Sequence, residues 1–151
     1  MQQDQTSQPV TNKMPKILIV EDDPALSKLY STRLQQDGYQ VVTAYDGATG
    51  LAVAAEENPT LIMLDMMLPK YTGIEFLEQL KQHGKTENYI IVCLTNLTEK
   101  AEADRARELG AKEYLAKAMH TPDEIVEILK KYLANQEQSL PTSEPASNLP
   151  Q

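Results

Sequence analysis

The sequence alternates short runs of consecutive apolar residues with longer segments in which apolar residues recur at helical spacing. Runs of Ile, Val and Leu on consecutive positions are typical of strands that are buried on both faces. Such runs are Ile17–Val20, Val41–Val42, Leu61–Leu64, Ile90–Leu94 and Tyr114–Ala116. Strands that alternate with helices form βα units with right-handed crossovers. The pattern therefore predicts an α/β fold, a doubly wound parallel sheet of five strands with five helices.

Residues typical of helix ends lie between these runs. Asp23 before Pro24 is a predicted N-cap with proline at the first helical position. The capping-box spacing occurs at Thr72 with Glu75 and at Thr121 with Glu124. The segment Thr98–Leu109 differs from the other helices, because its apolar positions are mostly alanine and bury little area. We expect it to be the loosest helix.

The apolar pattern is confined to one predicted domain over residues 15–134. Residues 1–14 and 135–151 are polar and have no hydrophobic period, so we expect disordered tails there. No apolar run approaches the roughly 18 residues that a bilayer span requires. The N-terminus has neither the basic start nor the apolar stretch of a secretory signal. These features predict a cytoplasmic protein with no membrane partner.

Charge and cysteine content exclude several kinds of site. The formal net charge is −8 and there is no run of Lys or Arg, so we expect no direct binding to nucleic acid. The single cysteine, Cys93, excludes an internal disulfide and a zinc site built from several cysteines. Its position inside an apolar run is typical of an inert, buried thiol.

Polar side chains follow four of the five predicted strands. Glu21 and Asp22 come after the first strand, Asp65 after the third, Thr95 after the fourth and Lys117 after the fifth. In an open parallel sheet these positions meet in a crevice at the carboxyl ends of the strands. Converging carboxylates need positive charge nearby, which the lysine and a divalent cation would supply. Oxygen ligands in an open crevice suit Mg²⁺.

A carboxylate, a divalent cation, a lysine and a hydroxyl around one point suit a tetrahedral oxyanion such as phosphate. An aspartate there can act as the nucleophile of phosphoryl transfer and form an aspartyl phosphate. Four segments that carry these residues resemble the receiver domain of two-component response regulators: Lys16–Leu26, Leu61–Gly73, Ile90–Thr95 and Gly110–Lys117. The resemblance covers residues 16–133. It implies the flavodoxin-like receiver fold with strand order 2-1-3-4-5.

The resemblance also implies a role for each acidic residue. Asp65 would be the phosphoacceptor, taking a phosphoryl group from a histidine kinase or a phosphotransfer protein. Asp22 and Asp65 would bind Mg²⁺ directly, and Glu21 would act through a water molecule. The backbone carbonyl of Met67 would be a further metal ligand. The chain would have no enzymatic activity beyond its own phosphorylation and dephosphorylation.

Three further residues would bind the phosphoryl group or respond to it. By the same resemblance, Thr95 and Lys117 would each bind a phosphoryl oxygen. Tyr114 would be the switch aromatic residue, which turns inward as Thr95 moves toward the phosphoryl group. The signal would then pass by protein contact, to a downstream partner or within a homodimer formed through the last helices.

Two positions differ from the usual pattern of this family. Asn96 stands after the threonine, where a small residue is usual, and it would either narrow access to the phosphoryl site or donate a hydrogen bond to it. Ala118 follows the lysine, where the family has proline after a cis peptide bond. A cis bond before another residue costs about 3 kcal/mol, so we expect a trans bond here. The Lys117 ammonium would then sit differently, or its loop would be more mobile.

Three alternative interpretations stay open on the sequence. The first is a degenerate receiver that binds partners independently of phosphorylation, which Asn96 and Ala118 favour. The second is a metal-dependent phosphatase with an aspartyl nucleophile, although Met67 stands where such enzymes have an aspartate as general acid. The third is the receiver part of a longer regulator whose output domain lies outside this sequence.

Overall fold

The computed structural model describes residues 14–84, 86–96 and 99–139, with side chains to residue 135. In chain order its strands and α-helices are β1 Lys16–Val20, α1 Pro24–Gln36, β2 Gln40–Ala44, α2 Gly47–Glu57, β3 Leu61–Asp65, α3 Gly73–Gln82, β4 Ile90–Thr95, α4 Lys100–Glu108, β5 Glu113–Ala116 and α5 Pro122–Ser139. Single turns of 3₁₀ helix span Thr86–Asn88 and Lys117–Met119. All strand pairs are parallel, in the order β2-β1-β3-β4-β5. The predicted fold class and strand order are confirmed.

The ends of two helices in the structure differ from the predicted boundaries. Helix α5 continues to Ser139, past the predicted domain limit at residue 134. Gln and Glu fill much of this extension and are good helix formers, and the next proline is Pro141. Residues 1–13 and 140–151 of the predicted tails lie outside the described residues. So does Thr98, where the sequence placed the start of the fourth helix, which the structure begins at Lys100.

The sheet separates two apolar layers, because successive residues of a strand point to opposite faces. We call the side covered by α2, α3 and α4 the α4 face, and the side covered by α1 and α5 the α5 face. Buried residues of the α4 face include Leu18, Ile62, Leu64, Phe76, Leu77, Ala103 and Ala106. Those of the α5 face include Ile17, Ile19, Leu34, Met63, Ile125, Leu129 and Leu133. The carboxyl edge of the sheet, where the predicted site residues lie, is between these two packed layers.

Side-chain caps fix the first turns of several helices. The Asp23 carboxylate accepts hydrogen bonds from the backbone N–H groups of Ala25 and Leu26, as the sequence predicts. Both predicted capping boxes form, with reciprocal hydrogen bonds within the pairs Thr72 with Glu75 and Thr121 with Glu124. Helix α4 has no such cap, because its N-cap residue, Glu99, makes no side-chain hydrogen bond to the helix. Within the described part of the chain, no helix is long and apolar enough to cross a membrane.

Candidate functional site at the carboxyl edge of the sheet

The predicted site residues come together where neighbouring strands end. Glu21 directly follows β1, Asp65 is the last residue of β3, and Thr95 is the last residue of β4. Val20 pairs with Leu64 across β1 and β3, so the two acidic positions that follow are adjacent. Glu21, Asp65 and Thr95 are 2%, 4% and 1% exposed, whereas Asp22 is exposed. The site is therefore a buried acidic floor with one exposed carboxylate at its rim.

Three carboxylates are close enough to share one cation. Glu21, Asp22 and Asp65 each offer an oxygen atom, and these atoms all lie within 4.8 Å of one another. A set of carboxylate oxygens is a hard ligand set, which suits Mg²⁺ rather than a soft metal. Because Asp22 is exposed, the site stays open to water and to a phosphoryl oxygen on that side. The residues present therefore fit a divalent cation of the predicted kind.

Lys117 joins the acidic cluster from the end of β5. Its Nζ lies 3.0 Å from Glu21 Oε1 and 3.4 Å from Asp65 Oδ2, and its side chain is 15% exposed. The described residues contain no cis peptide bond, so the bond before Ala118 is trans, as expected for a non-proline residue. The lysine reaches the aspartate without the cis bond that is usual in the family, from a 3₁₀ turn that begins at Lys117.

The buried Glu21 carboxyl has a raised affinity for protons. Burial raises the pKa of Glu21 to about 7, the hydrogen bond from Lys117 lowers it, and the charge of Asp65 raises it. Burial lowers the pKa of Lys117. The hydrogen bond from its ammonium to Glu21 and the charge of Asp65 raise this pKa by more, so the net shift is upward. Lys117 therefore stays charged, whereas Glu21 titrates near neutral pH. A cation on the cluster would favour the ionised form of Glu21.

Backbone groups fix the Asp65 side chain and the loop after it. Asp65 Oδ1 accepts a hydrogen bond from the Met67 N–H at 3.0 Å. The Met66 N–H donates to the Leu94 carbonyl at 2.8 Å, which extends the pairing of β3 and β4 to this point. The loop then packs against Gly73, where an added Cβ would lie 2.7 Å from the Met66 Cα. The Met67 side chain is 52% exposed and takes no part in the floor of the site.

Thr95 and Tyr114 lie side by side behind the acidic cluster. Tyr114 is 8% exposed, and its hydroxyl donates a hydrogen bond to the Glu102 carboxylate on α4. Burial, and then the bond to Glu102, raise the pKa of Tyr114 to about 12. A hydrogen bond with Thr95 and one with the backbone of Glu99 lower this pKa. The tyrosine oxygen thus sits between the strand-end threonine and the first turn of α4.

Sequence reasoning located the floor of the site but missed Glu102. Glu102 lies four residues before the buried Ala106, so helical spacing puts both on the face that α4 turns toward the sheet. The sequence does contain a signal for it, which is an acidic residue at helical spacing from the alanines of this face. Asn96 and Ala118, the two positions that differ from the family pattern, are both exposed.

Comparison with known families agrees with this geometry. The family model described as "Response regulator receiver domain" matches residues 17–130. The transcriptional regulator RpaA of Synechocystis is 39% identical over 121 residues, which are 80% of this chain and 48% of that protein. The response regulator DivK of Brucella anthropi is 30% identical over 123 residues, which are 81% of this chain and 99% of that protein. The chain thus spans about half of RpaA but nearly all of DivK.

Solved structures of receiver domains superpose on this fold. A CheY-like receiver domain protein from Methanospirillum hungatei has a TM-score of 0.76 and 28% identity, covering 84% of this chain and 99% of that one. The chemotaxis protein CheY4 of Vibrio cholerae has a TM-score of 0.71 and 30% identity, covering 78% and 98%. With the family match over most of the chain, these likenesses and the strand order lead to one conclusion. The chain belongs to the response regulator receiver domain family of two-component systems.

Proposed function

We propose that the chain is a phosphorylation-dependent switch that accepts a phosphoryl group on Asp65 from a histidine kinase or a phosphotransfer protein. The observation that carries this proposal is the position of the Asp65 carboxylate, held between the Lys117 ammonium and the two other acids. In the step, an Asp65 oxygen forms a bond to phosphorus while the bond from phosphorus to the donor imidazole nitrogen breaks. The imidazole leaves with the electron pair of that bond and takes up a proton.

The acidic cluster would hold the divalent cation that this transfer needs. We assign Asp22 and Asp65 as direct ligands, with Glu21 acting through a water molecule and the Met67 carbonyl as a further ligand. Bound Mg²⁺ supplies charge neutralisation for the transferring group. Glu21 is the residue whose protonation this ion most affects, because burial has raised its pKa to about 7. Mg²⁺ and protons should therefore compete at this site near neutral pH.

Two residues would bind the phosphoryl group once it is on Asp65. Lys117 already lies 3.4 Å from Asp65 Oδ2, so its ammonium can pair with a phosphoryl oxygen after a small shift. The Thr95 hydroxyl, at the end of the neighbouring strand, can donate a hydrogen bond to another oxygen. Asn96 directly follows Thr95 and is exposed, and it would either narrow access to the phosphoryl site or donate a hydrogen bond to it.

The added charge would act on a two-state element behind the site. A phosphoryl group brings close to two negative charges. Movement of Thr95 toward that group would draw Tyr114 further inward, and α4 lies against Tyr114. Helix α4 is the suitable moving part, since its buried residues are Ala103 and Ala106 and its N-cap makes no side-chain bond. Output would follow by protein contact, with a downstream partner or in a homodimer through the last helices.

Exposed apolar side chains support a protein, rather than a small molecule, as the phosphoryl donor. The large apolar side chains that the described surface exposes are Tyr45, Met67 and Met119. Each stands one to three residues after a strand, at the edge that holds Asp65. Apolar side chains around a polar pocket are typical of a surface covered by another protein. We place this exchange in the cytoplasm, because a chain with one buried thiol and no disulfide is typical of that compartment.

Phosphotransfer from a panel of histidine kinases tests the proposal most directly. Purified chain is incubated with each autophosphorylated kinase and Mg²⁺, and transfer of label is followed over time. We expect at least one kinase to label the wild type, no label on Asp65→Asn, and full label on Asp46→Asn, a half-buried acid at the same edge. Labelling that survives in Asp65→Asn would contradict the assignment. Absence of transfer, with partner binding unchanged by Asp65→Asn, would favour a phosphorylation-independent binding module.

A further inference from the structure

The hydrogen bond between Tyr114 and Glu102 connects the proposed switch residue to α4. Tyr114 lies in β5 and is 8% exposed, while Glu102 lies in the first turn of α4 and is half-buried. The bond therefore spans a strand and a helix that are separated by one loop. Hydrogen bonds to an ionised acceptor are about twice as strong as neutral ones, and partial burial reduces their screening by solvent.

Apart from the bond between Tyr114 and the Glu99 backbone, little among the described residues holds the beginning of α4 to the sheet. The residues that α4 buries are alanines, Ala103 and Ala106, which bury far less area than leucine. The ion pair from Arg105 to Glu78 on α3 is 3.2 Å long, but its side chains are 48% and 43% exposed. Exposed ion pairs contribute little to stability. The contact between Glu102 and Tyr114 is thus a large part of what fixes α4 in its present position.

We propose that Glu102 is a positioning residue that holds Tyr114 in its buried orientation and makes α4 move with it. This inference rests on the proposed function, since it assigns the means by which the site acts on α4. A bond that exists only in the buried orientation raises the population of that orientation. If that orientation is the one that binds a phosphoryl group, then loss of the bond weakens binding in proportion to the lost population.

The first experiment measures the orientation of Tyr114 without any phosphoryl ligand. The full chain is prepared with 3-fluorotyrosine, and the Tyr114 fluorine resonance is assigned by its absence in Tyr114→Phe. The solvent isotope shift of this resonance reports exposure of the ring. We expect Glu102→Ala to increase that shift and Glu102→Gln, whose amide oxygen still accepts a hydrogen bond, to stay close to wild type. Glu108→Ala, an exposed acid on the same helix, is the matched control.

The second experiment measures the coupling to the site. Beryllium fluoride with Mg²⁺, a mimic of the phosphoryl group, is titrated into each variant. We expect about 10-fold weaker binding for Glu102→Ala, less than 3-fold for Glu102→Gln and no change for Glu108→Ala. An unchanged Tyr114 isotope shift in Glu102→Ala, or binding as tight as in Glu108→Ala, would overturn the role of Glu102. Failure of the wild type to bind the mimic would instead contradict the proposed function, and the isotope shift would then decide on Glu102 alone.

Discussion

The two faces of the sheet are packed in different ways. On the α5 face, α5 buries Ile125, Leu129 and Leu133 almost completely, and a capping box fixes its first turn. On the α4 face, α4 buries alanines and begins at a residue that makes no side-chain cap. Both helices flank the same strand, β5, which supplies Tyr114 and precedes Lys117. A change at the site can therefore shift α4 more easily than α5.

This asymmetry gives the molecule a fixed side and an adjustable side. Removing apolar surface from α5 should destabilise the whole fold, because its side chains interlock with β1, β3 and β4 in one layer. Changes to α4 should mostly alter local opening, because it shares few apolar contacts with the sheet. The same distinction explains how charge at Asp65 can move α4 without unfolding the domain. Four measurements test this difference between the two faces.

Truncation of a leucine on α5 should have the largest effect on stability. Leu129 is fully buried, so Leu129→Ala should lower the free energy of unfolding by about 3 kcal/mol through lost burial and a residual cavity. Urea denaturation followed by circular dichroism measures the loss. The neighbouring, half-buried Ile128→Ala is the matched control and should lose less. A loss below about 1 kcal/mol for Leu129→Ala would show that the α5 face is not the fixed side.

Titration of Glu21 should have the next largest effect, and it tests the site between the two faces. The folded pKa of Glu21 is raised to about 7 from 4.5, so the folded chain binds the proton more tightly than the unfolded chain. Without Mg²⁺, this contribution to stability is complete below about pH 4.5 and is lost as the pH rises to about 7 and beyond.

Comparison with Glu21→Gln isolates that contribution from the other acids. Urea denaturation at several pH values from 5 to 8 should show the stability of wild type falling relative to Glu21→Gln as the pH rises. Added Mg²⁺ should reduce the dependence, because the cation favours the ionised carboxylate. A constant difference between the two proteins over this range would contradict the assigned burial of Glu21.

Substitution of an alanine on α4 should have a smaller effect that is centred on the helix. Ala106→Gly removes a buried methyl group and a good helix former, so we expect about 1.5 kcal/mol of destabilisation. Ala101→Gly, at an exposed position on the same helix, should cost about 1 kcal/mol. Amide hydrogen exchange should show faster opening of α4 in both. If exchange quickened most in α5, the assignment of α4 as the adjustable side would be wrong.

Loss of the exposed ion pair on α4 should have the smallest effect. Arg105→Ala removes the contact with Glu78 on α3, whose side chains are about half exposed, so we expect less than about 0.5 kcal/mol. A double-mutant cycle with Glu78→Ala, measured by urea denaturation, gives the coupling energy of the pair. A coupling above about 1 kcal/mol would mean that α4 is anchored to α3 more firmly than its burial suggests.

The fold was largely predictable because its signals are local. The buried strand Leu61–Asp65 begins with the apolar run Leu61–Leu64, and the N-cap Asp23 and the capping boxes are short patterns that act within a few residues. The strand order came from the family resemblance, since no local pattern specifies which strands are neighbours. The extension of α5 to Ser139 was not predicted, because a polar helix end carries no hydrophobic period.

The site was predictable only as far as strand ends specify it. Glu21, Asp65 and Thr95 follow apolar runs, so the parallel sheet alone brings them to one edge. The distance from Lys117 to Glu21, which is shorter than that to Asp65, depends on contacts across 96 residues of chain. The bond from Tyr114 to Glu102 likewise depends on how α4 packs. Side-chain partners across elements follow from three-dimensional packing, which no short motif encodes.

A phosphoryl group on Asp65 should act on the α4 face and leave the α5 face unchanged. Amide hydrogen exchange of the full chain with and without beryllium fluoride and Mg²⁺, at a protein concentration at which it stays monomeric, measures this difference. We predict altered protection in β4, β5 and α4, unchanged protection in α5, and no response at all in Asp65→Asn. Equal changes in α4 and α5, or a response that persists in Asp65→Asn, would contradict this claim.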